Sequence, residues 1–278
     1  MITPGNTYIL NVTKIVDFGV FLDGEELGEI LLPQKQCPAG ISLGHNLKVF
    51  VYLDSEDRPI ATCQTPLAEV GEFAYLKVVA NTEVGAFLDW GLDKDLLLPF
   101  SEQHRKLEVG QSYIVYISLN KADDRIVASS KVDKYVKEGQ PHSFKPRQKV
   151  DLIIANTTDL GYKAIINHSH WGVLYKNDLR ENIRFGESRI GFIKYLRPDG
   201  KIDLSLGTSQ QSRDKFSEKI LAYLKSNDGF AALHDKSDPK LISRELDMSK
   251  KAFKKAIGGL YKQKAISIET NGIKLLKK

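Results

Sequence analysis

Gly19-Val20-Phe21-Leu22-Asp23 recurs in the chain as Gly85-Ala86-Phe87-Leu88-Asp89, with glycine, phenylalanine, leucine and aspartate at matching positions. The shift between the two copies is 66 residues. The same shift relates three further pairs: Gly5 and Gly71, Leu32-Pro33 and Leu98-Pro99, and Gly44 and Gly110. Agreement of this kind over a whole unit is an internal repeat, which predicts small tandem modules rather than one large domain.

The alternation of side chains in this stretch predicts a strand with one buried face. Side chains of a strand point alternately to opposite faces, so Val20 and Leu22 share the core side. Phe21 then lies on the outer side with Gly19, which carries no side chain and leaves space for a flat ligand such as a base. Phe87 repeats this arrangement. Two interpretations of both rings stay open, namely stacking on bases and packing between neighbouring modules.

Five predicted strands make up each of the first two modules. In the first module they span residues 8–12, 20–23, 29–32, 47–53 and 59–63. In the second they span residues 74–80, 86–89, 96–98, 112–119 and 126–129. Polar turns at residues 54–57 and 121–124 join the last two strands of each module. Five short antiparallel strands in about 65 residues is the size of an OB-type Greek-key barrel.

A third and more divergent copy begins near Phe144, with Gly161 in the place of Gly85. The outer position that the two phenylalanines hold in the earlier copies is then Lys163. By the same parity, Tyr162 lies on the core side. The third copy therefore keeps the strand pattern but changes the outer residue from a ring to a cation.

After residue 212 the hydrophobic period changes from two to about 3.6, which predicts helices. The first runs from near Arg213 to just before Asn227. Asp238-Pro239 gives the second helix an N-cap and a proline at its first position, and Ser249 caps the third. The inner face of the third helix is predicted to carry Phe253, Ile257, Leu260 and Tyr261. Asn271-Gly272 between apolar residues predicts a hairpin, and three helices followed by a hairpin is the order of a winged helix-turn-helix.

The net charge of +5 is divided unevenly along the chain. Residues 1–67 hold four basic and eight acidic residues, and residues 68–133 hold seven and eleven. Residues 134–212 hold 13 basic and eight acidic residues, and residues 236–278 hold 12 and four. Because phosphates are neutralised by Lys and Arg, the second half of the chain is expected to supply most of the attraction for a polyanion.

The third predicted helix carries five lysines: Lys250, Lys251, Lys254, Lys255 and Lys262. On a helical wheel they lie opposite or beside the inner face, so they can meet phosphates. A solvated lysine face is the alternative. No Arg, Asn or Gln stands among them to read base edges with paired hydrogen bonds, so duplex DNA is less favoured as a partner than single-stranded RNA.

No pattern of residues predicts catalysis, a metal site or a cofactor. His168 and His170 stand two positions apart without a third ligand nearby. The carboxylates of the two polar turns are typical of tight turns and do not converge from separate strands as a two-metal site requires. There is no Gly-rich phosphate loop and no nucleophile beside a base. We therefore expect a protein that is not an enzyme.

The two cysteines and the absence of a long apolar run predict a cytoplasmic protein. Cys37 and Cys63 form neither a disulfide framework nor the paired spacing of a zinc site, and each is expected to be a small buried residue. The N-terminus lacks a basic region followed by an apolar run, and no stretch approaches about 18 consecutive apolar residues. A membrane is accordingly not expected as a partner.

These modules resemble the S1 RNA-binding domain, a variant of the OB fold. The resemblance rests on Phe18-Gly19-Val20-Phe21, on the apolar third strand, and on a closing hairpin with Arg58, Arg125 or Lys201 before a short strand that ends in Thr or Ser. Three copies followed by a winged helix are similar to the conserved virulence factor B family, over nearly the whole chain. The implied fold is mostly β, with three tandem S1-type five-stranded OB barrels followed by an α/β winged helix-turn-helix domain.

The resemblance also implies an RNA site of aromatic rings, a histidine and charged residues near the last turn. The predicted stacking residues are Phe18, Phe21, Phe87 and Tyr175. The predicted phosphate contacts are Arg58, Arg125, Lys163 and Lys201, together with the five lysines of the third helix. No barrel keeps the complete set, since the first two lack the histidine and the third has Leu160 and Lys163 in place of the two rings. We expect a weak, sequence-tolerant grip shared between modules.

The expected modules are a first barrel at residues 1–66, a second at 67–133, a divergent third at 144–208 and a winged helix at 212–278, with a linker at 137–142. The first hypothesis is a non-enzymatic cytoplasmic protein that grips single-stranded RNA with low sequence specificity and acts in post-transcriptional gene regulation. One alternative is a winged-helix DNA-binding regulator. The other is a scaffold whose acidic first two barrels dock on a basic protein, such as a ribosomal protein.

Overall fold

The computed structural model describes residues 1–120, 123–139, 143–179, 182–207 and 209–276, with the backbone alone at residues 209–215. The chain divides into two compact units, Met1–Leu204 and Ser205–Lys278. The first contains the strands of three barrels, and the second contains the long helices with a small sheet. The four module boundaries given above remain predictions.

The first unit folds into three closed barrels of five strands each, so the predicted fold class is confirmed, including the divergent third copy. The first barrel contains β1 (Asn6–Val16), β2 (Gly19–Asp23), β3 (Glu29–Pro33), β4 (Asn46–Leu53) and β5 (Pro59–Thr62). The second contains β6 (Phe73–Asn81), β7 (Gly85–Asp89), β8 (Leu96–Pro99), β9 (Ser112–Leu119) and β10 (Ile126–Ser129). The third contains β11 (Lys149–Thr157), β12 (Gly161–Ile166), β13 (His170–Tyr175), β14 (Ser188–Leu196) and β15 (Ile202–Ser205).

All three barrels share one topology. The first strand pairs with the second and the fourth, the third pairs with the second, and the fifth closes the barrel between the third and the fourth. The contact of the third strand with the fifth is parallel, and the other pairings are antiparallel. A register shift falls at the same repeat position of the first strand each time, between Val12 and Lys14, Val78 and Ala80, and Ile154 and Asn156. The three barrels therefore share this backbone irregularity, which bends the first strand at the same position each time.

The barrel cores follow the predicted alternation. Val20 and Leu22 are buried, and so are Ala86 and Leu88 at the matching positions. In the third barrel the prediction for Tyr162 is wrong, because the side chain is only half-buried. Tyr162 pairs with Thr157 beyond the register shift, at the exposed end of β11, where the barrel interior no longer covers it.

The glycine at the start of the second strand of each barrel is needed for close pairing with the third strand and does not create an open face for a ligand. A Cβ atom on Gly19 would lie 2.3 Å from the carbonyl oxygen of Leu32 in the neighbouring strand. The same clash would arise at 2.3 Å for Gly85 and at 2.0 Å for Gly161. Real Cβ atoms do not approach a backbone oxygen so closely, so the third strand can pack against this position only if it is glycine. The expectation that Gly19 leaves space for a base is wrong.

The first and second barrels share a packed junction. Phe50 of β4 belongs to the core cluster of the second barrel, with its ring centroid 5.6 Å from that of Trp90. Lys35 of the first barrel binds Asp93 of the second at 2.8 Å. Since apolar packing and an ion pair cross the same junction, the two barrels are held as one body.

The second and third barrels are joined by an apolar cluster of Phe73, Ile114, Val136, Ile153, Ile165 and Trp171. His168 accepts a hydrogen bond at its Nδ1 from the backbone N–H of Phe73, at 2.9 Å. The predicted linker is partly wrong. Lys137 is fixed to the third barrel, since its N–H donates to Ser169 and its carbonyl accepts from Trp171, each at 2.9 Å. Residues 140–142 of that linker, like 121 and 122 of the polar turn, lie outside the described residues.

The second unit has the element order of a winged helix. It contains α1 (Ser209–Ser226), β16 (Phe230–Ala231), α2 (Pro239–Leu246), α3 (Lys250–Lys262), β17 (Ile266–Glu269) and β18 (Gly272–Leu275). The sheet order is β16-β18-β17. Both predicted caps are confirmed, because Asp238 accepts from the N–H of Lys240 and Ser249 accepts from that of Ala252. The first helix begins earlier than predicted, at Ser209 rather than near Arg213.

Two details of this unit correct the sequence analysis. Tyr261 is 57% exposed, whereas Phe253, Ile257 and Leu260 are buried. Tyr261 is one residue beyond the buried stripe, so the helix turns its ring out to solvent. The hairpin loop is residues 270–271, and Gly272 is already in β18, where a Cβ atom would lie 2.2 Å from the carbonyl oxygen of Ala231.

The cysteines differ from expectation. Cys37 is half-buried and Cys63 is exposed, so neither is a fully buried core residue. Cys63 follows directly after β5, where the chain leaves the first barrel. Among the described residues, no helix is long and apolar enough to cross a bilayer.

Candidate nucleic-acid interface

The first barrel presents a pair of rings on its outer face. Phe18 lies in the turn between β1 and β2 and is 60% exposed. Phe21 of β2 is half-buried, and the two ring centroids lie 6.2 Å apart at an interplanar angle of 89°. Lys14 Nζ lies 5.7 Å from the centroid of Phe21. Two adjacent rings beside a cation are the elements that a single-stranded nucleic acid uses for base stacking and phosphate contact.

Phe21 lies at one end of an apolar strip across three strands. It pairs with Leu31 of β3, and Leu31 pairs with Ile60 of β5. The strip is half-buried and faces away from the barrel core. Pairing of Phe87 with Leu97 and of Leu97 with Val127 repeats the strip in the second barrel. In the third barrel the matching residues are Lys163, Val173 and Asp203, so the strip becomes polar.

Phe87 faces a cavity of about 380 Å³ where the first two barrels meet. The walls include Tyr52 of the first barrel and Trp90 and Leu97 of the second. Phe87 is half-buried, so it is neither free on a surface nor sealed in the core. Base stacking and packing between modules therefore both stay open for this ring, because Phe87 lies at the junction of two barrels and also faces a cavity.

The two arginines of the closing hairpins are held by carboxylates. Arg58 binds Asp54 and Glu56 of its own hairpin, each at 2.9 Å. Arg125 binds across the junction to Asp57 of the first barrel, with its Nε 2.9 Å from the carboxylate and its Nη2 on the other oxygen. The hydrogen bond from Arg125 lowers the pKa of Asp57 below its ordinary value of 3.8. A phosphate would have to compete with these carboxylates.

The predicted residues of the third barrel also have partners. Lys163 Nζ lies 4.2 Å from the ring centroid of Trp171 and 3.3 Å from Glu138. The guanidinium of Arg197 lies 5.8 Å from the ring centroid of Tyr175 and donates a hydrogen bond to the Tyr175 hydroxyl. Lys201 is exposed at the turn of the last hairpin. The three side chains lie on one barrel without forming one cluster.

The lysines of α3 form the basic face of the second unit. Four are exposed, and they are Lys251, Lys254, Lys255 and Lys262. Lys250 is half-buried and donates to the carbonyl oxygen of Lys236 at 3.3 Å. The buried stripe of Phe253, Ile257 and Leu260 lies on the other side. Four charges are therefore free of the core and open to a polyanion.

A second cavity, of about 250 Å³, lies between the second and third barrels. Its aromatic lining residues are Tyr113, Trp171 and Phe185. Arg105 contributes a guanidinium 5.5 Å from the ring centroid of Tyr113. Sequence reasoning missed this cavity because its residues come from different modules. It also missed Lys14, although that cation stands four residues before Phe18 in an otherwise acidic module.

Within the described ranges, no group of three or more His, Cys, Asp or Glu side chains is arranged to hold a metal ion. The two histidines considered as metal ligands, His168 and His170, make other contacts. His168 accepts from the N–H of Phe73, and His170 Nδ1 lies 3.0 Å from the hydroxyl of Ser169.

Comparison with known families matches most of this architecture. The S1 domain matches residues 4–64 and 70–131, which are the first two barrels. The CvfB-like winged helix domain matches residues 218–275.

The chain also aligns with other proteins over nearly its whole length. An uncharacterized protein of Bacillus subtilis, YitL, is 30% identical, with 93% of this chain and 89% of the relative covered. Conserved virulence factor B of Staphylococcus saprophyticus is 26% identical and that of Staphylococcus epidermidis 27% identical, each with 99% of this chain and 95% of the relative covered. A crystal structure of a multidomain protein with nucleic acid binding domains from Streptococcus pneumoniae covers 98% of both chains, at 22% identity and a TM-score of 0.41.

Proposed function

The chain belongs to the conserved virulence factor B family, and on this premise we propose that it is a non-enzymatic protein that grips single-stranded RNA with low sequence specificity. Its two S1 domains are nucleic-acid-binding modules, and their combination with a third five-stranded barrel and a winged helix suits a polymer rather than a small substrate. The role we propose is post-transcriptional regulation of gene expression in the cytoplasm.

The observation that carries this proposal is the ring pair on the outer face of the first barrel, the exposed Phe18 and the half-buried Phe21, with Lys14 beside Phe21. Phe18 is 60% exposed, so most of its ring is open to a base. Base stacking is tolerant of sequence because every base has an aromatic face, and each stack contributes about 1–3 kcal/mol. A protein that relies on such rings binds single strands, whose bases are free, in preference to duplexes.

Phosphate contacts complete the proposed interface. The exposed lysines of α3 and Lys201 supply cations without a carboxylate partner among the described residues. Arg58, Arg125 and Lys163 are ion-paired, so their contacts with phosphate require an exchange of partners. The strongest electrostatic attraction is thus proposed for the C-terminal half of the chain, while the rings lie mainly in the N-terminal half.

The test is binding of the full-length protein to fluorescein-labelled oligouridylate, oligoadenylate and duplex DNA over a series of salt concentrations. The proposal predicts binding to both single strands, weakened by salt. Two double variants separate the contributions. Phe21→Ala with Phe87→Ala is expected to weaken binding at every salt concentration, and Lys251→Glu with Lys255→Glu to weaken it most at low salt. No binding of either single strand at low salt would reject the proposal, and equal affinity of wild type and both variants would reject the residues assigned to it.

The exposed lysine face of α3 favours a second candidate, a duplex DNA-binding regulator in which the winged helix is the reader. This candidate predicts tighter binding to duplex DNA than to oligouridylate. It also predicts loss of binding on neutralising α3 and no effect of the ring substitutions. The same titrations therefore decide between the two.

A further inference from the structure

The cavity between the second and third barrels has the chemistry of a nucleotide site, and it differs in charge from the other cavities. Its lining includes the cations Arg105 and Lys163 and the single carboxylate Asp133. The cavity at the first junction is lined by two cations and two carboxylates, so it offers no net attraction to an anion. A third cavity, also at the second junction, is lined by Glu72, Asp151 and Arg189. Only the Arg105 cavity, among these three, combines excess positive charge with several rings.

Each cation of this cavity is already placed over a ring. Arg105 of the second barrel lies over Tyr113 at 5.5 Å, and Lys163 of the third barrel lies over Trp171 at 4.2 Å. Trp171 is only 8% exposed and Lys163 lies over its ring, so a base cannot reach that ring directly. The open ring is Phe185, which is 48% exposed. Tyr75 packs against Phe185 in a T-shaped arrangement, with the two ring centroids 5.5 Å apart.

The walls of this cavity are fixed before any ligand arrives. Ile114 and Phe73 of the second barrel pack with Ile153, Ile165 and Trp171 of the third in one buried cluster. Gly186, next to Phe185, lies so close to Tyr75 that a Cβ atom there would be 2.2 Å from the tyrosine ring. Lys163 has to leave Glu138 and Trp171 to reach a phosphate, but the packed walls need no ordering, so more of the interaction energy is retained as affinity.

We infer that this cavity is a composite nucleotide site of the RNA path, in which a base of a single strand lies against Phe185 and a flanking phosphate is bound by Arg105 and Lys163. The inference rests on the proposed RNA-binding function and adds a location to it. It also explains how the third barrel takes part although it lacks the two rings at the expected positions. The rings come from the neighbouring barrel and from the loop before β14. The volume of about 250 Å³ suits one unit of a polymer rather than an enclosed free ligand.

The test uses the full-length chain, a labelled oligouridylate and matched pairs of variants. Phe185→Ala is compared with Phe100→Ala, because Phe100 is 55% exposed on the second barrel and does not line the cavity. Arg105→Gln is compared with Lys106→Gln, the adjacent exposed cation outside the cavity. Phe185→Ala is expected to weaken binding roughly 5- to 150-fold, the equivalent of one lost stack. Arg105→Gln is expected to lower the slope of log K against log salt by about 0.7.

A second readout follows occupancy of the cavity itself. The chain has two tryptophans, Trp90 and Trp171, so Trp90→Phe leaves one indole, in the wall of this cavity. Oligouridylate is expected to change the emission of Trp171 with the same midpoint as the polarisation titration, because a bound phosphate draws Lys163 from the ring. Binding by polarisation without a change in Trp171 emission would contradict the inference.

The outcomes separate this inference from the proposed function. If wild type binds oligouridylate and the cavity variants bind as tightly as Phe100→Ala and Lys106→Gln, the cavity is not on the RNA path but the proposed function stands. If wild type does not bind oligouridylate even at low salt, the proposed function itself fails. Weakening confined to Phe185→Ala and Arg105→Gln supports both.

Discussion

At the scale of the residue, Phe18 and Arg125 show two opposite uses of side chains that resemble nucleic-acid contacts. Phe18 is exposed and contacts the ring of Phe21, over which Lys14 of the same barrel lies. Arg125 has the right place near the last turn, yet its guanidinium binds Asp57 of the preceding barrel. The alternation of a strand predicts that a ring points outward, but it cannot predict which neighbouring module meets a charged side chain.

Phe18→Ala is expected to weaken the binding of oligouridylate by the full-length protein roughly 5- to 150-fold, since one stack of about 1–3 kcal/mol is lost. The ring is exposed, so the fold does not depend on it. Fluorescence polarisation measures the affinity. The matched control is Ile9→Ala, which removes an exposed apolar side chain from β1 of the same barrel. An equal effect of both substitutions would show that general apolar surface, not the ring, is responsible.

At the scale of the element, the second strand of each barrel is the part that the sequence predicted best. The pattern Gly-x-Phe-x-Asp placed β2 and β7, and the single Gly161 sufficed to place β12. The alternation of side chains predicts these strands well because each small closed barrel has one buried inner face and one outer face. Val20, Leu22 and their counterparts lie on the inner face. The sequence could not show why this position is glycine. A side chain there would clash with a backbone carbonyl oxygen of the neighbouring strand, which is ten or more residues away in the chain.

Gly85→Ala is expected to destabilise the second barrel by about 1–3 kcal/mol, the usual cost of forcing an extra carbon into a packed site. The added Cβ would lie 2.3 Å from the carbonyl oxygen of Leu98, which is backbone and cannot turn away. Chemical denaturation measures the change, followed by tryptophan emission for the barrels, where Trp90 is buried in the second, and by circular dichroism for the helical unit. The control is Gly258→Ala in α3, where a Cβ would meet nothing within 4 Å and the substitution should stabilise by about 0.5–1 kcal/mol. A neutral Gly85→Ala would refute the packing argument.

The junction of the first two barrels is expected to weaken at acid pH. Arg125 lowers the pKa of Asp57, and hydrogen bonds from Lys35 and then Gln64 lower the pKa of Asp93, both below 3.8. A carboxylate whose pKa is lowered by folding stabilises the fold fully above its ordinary pKa, and this contribution is lost as pH falls through the folded value. The melting temperature should therefore fall more steeply below about pH 4 in wild type than in Asp57→Asn with Asp93→Asn. Asp95→Asn, an exposed carboxylate of the second barrel, is the control, and parallel curves for all proteins would contradict the prediction.

At the scale of the whole molecule, charge and rings are distributed in opposite directions along the chain. The first two barrels are acidic and hold Phe18, Phe21 and Phe87, whereas most of the excess basic charge lies beyond residue 134. The sequence showed this division, but it could not show that the second and third barrels bury a common cluster around Trp171. A fragment beginning at Phe144 would expose that cluster, so the contribution of each half is better tested by substitutions in the full chain.

Changing Lys251, Lys254, Lys255 and Lys262 together to Gln is expected to lower the slope of log K against log salt by about 3, since each phosphate contact on a single strand contributes about 0.7. These side chains are exposed on α3, so the fold of the second unit should be kept. Neutralising Lys77 and Lys106, two exposed lysines of the acidic second barrel, is the control. An equal slope change per lysine in both variants would mean that binding follows net charge rather than the α3 face.

Single-strand binding is tested by the affinity of the unmodified full-length protein for an oligouridylate and for a DNA duplex of the same length, across one salt series. We predict tighter binding to the single strand at every salt concentration, with affinity falling linearly on a log–log plot as salt rises. Preference for the duplex, or no binding of the single strand at the lowest ionic strength, would contradict it.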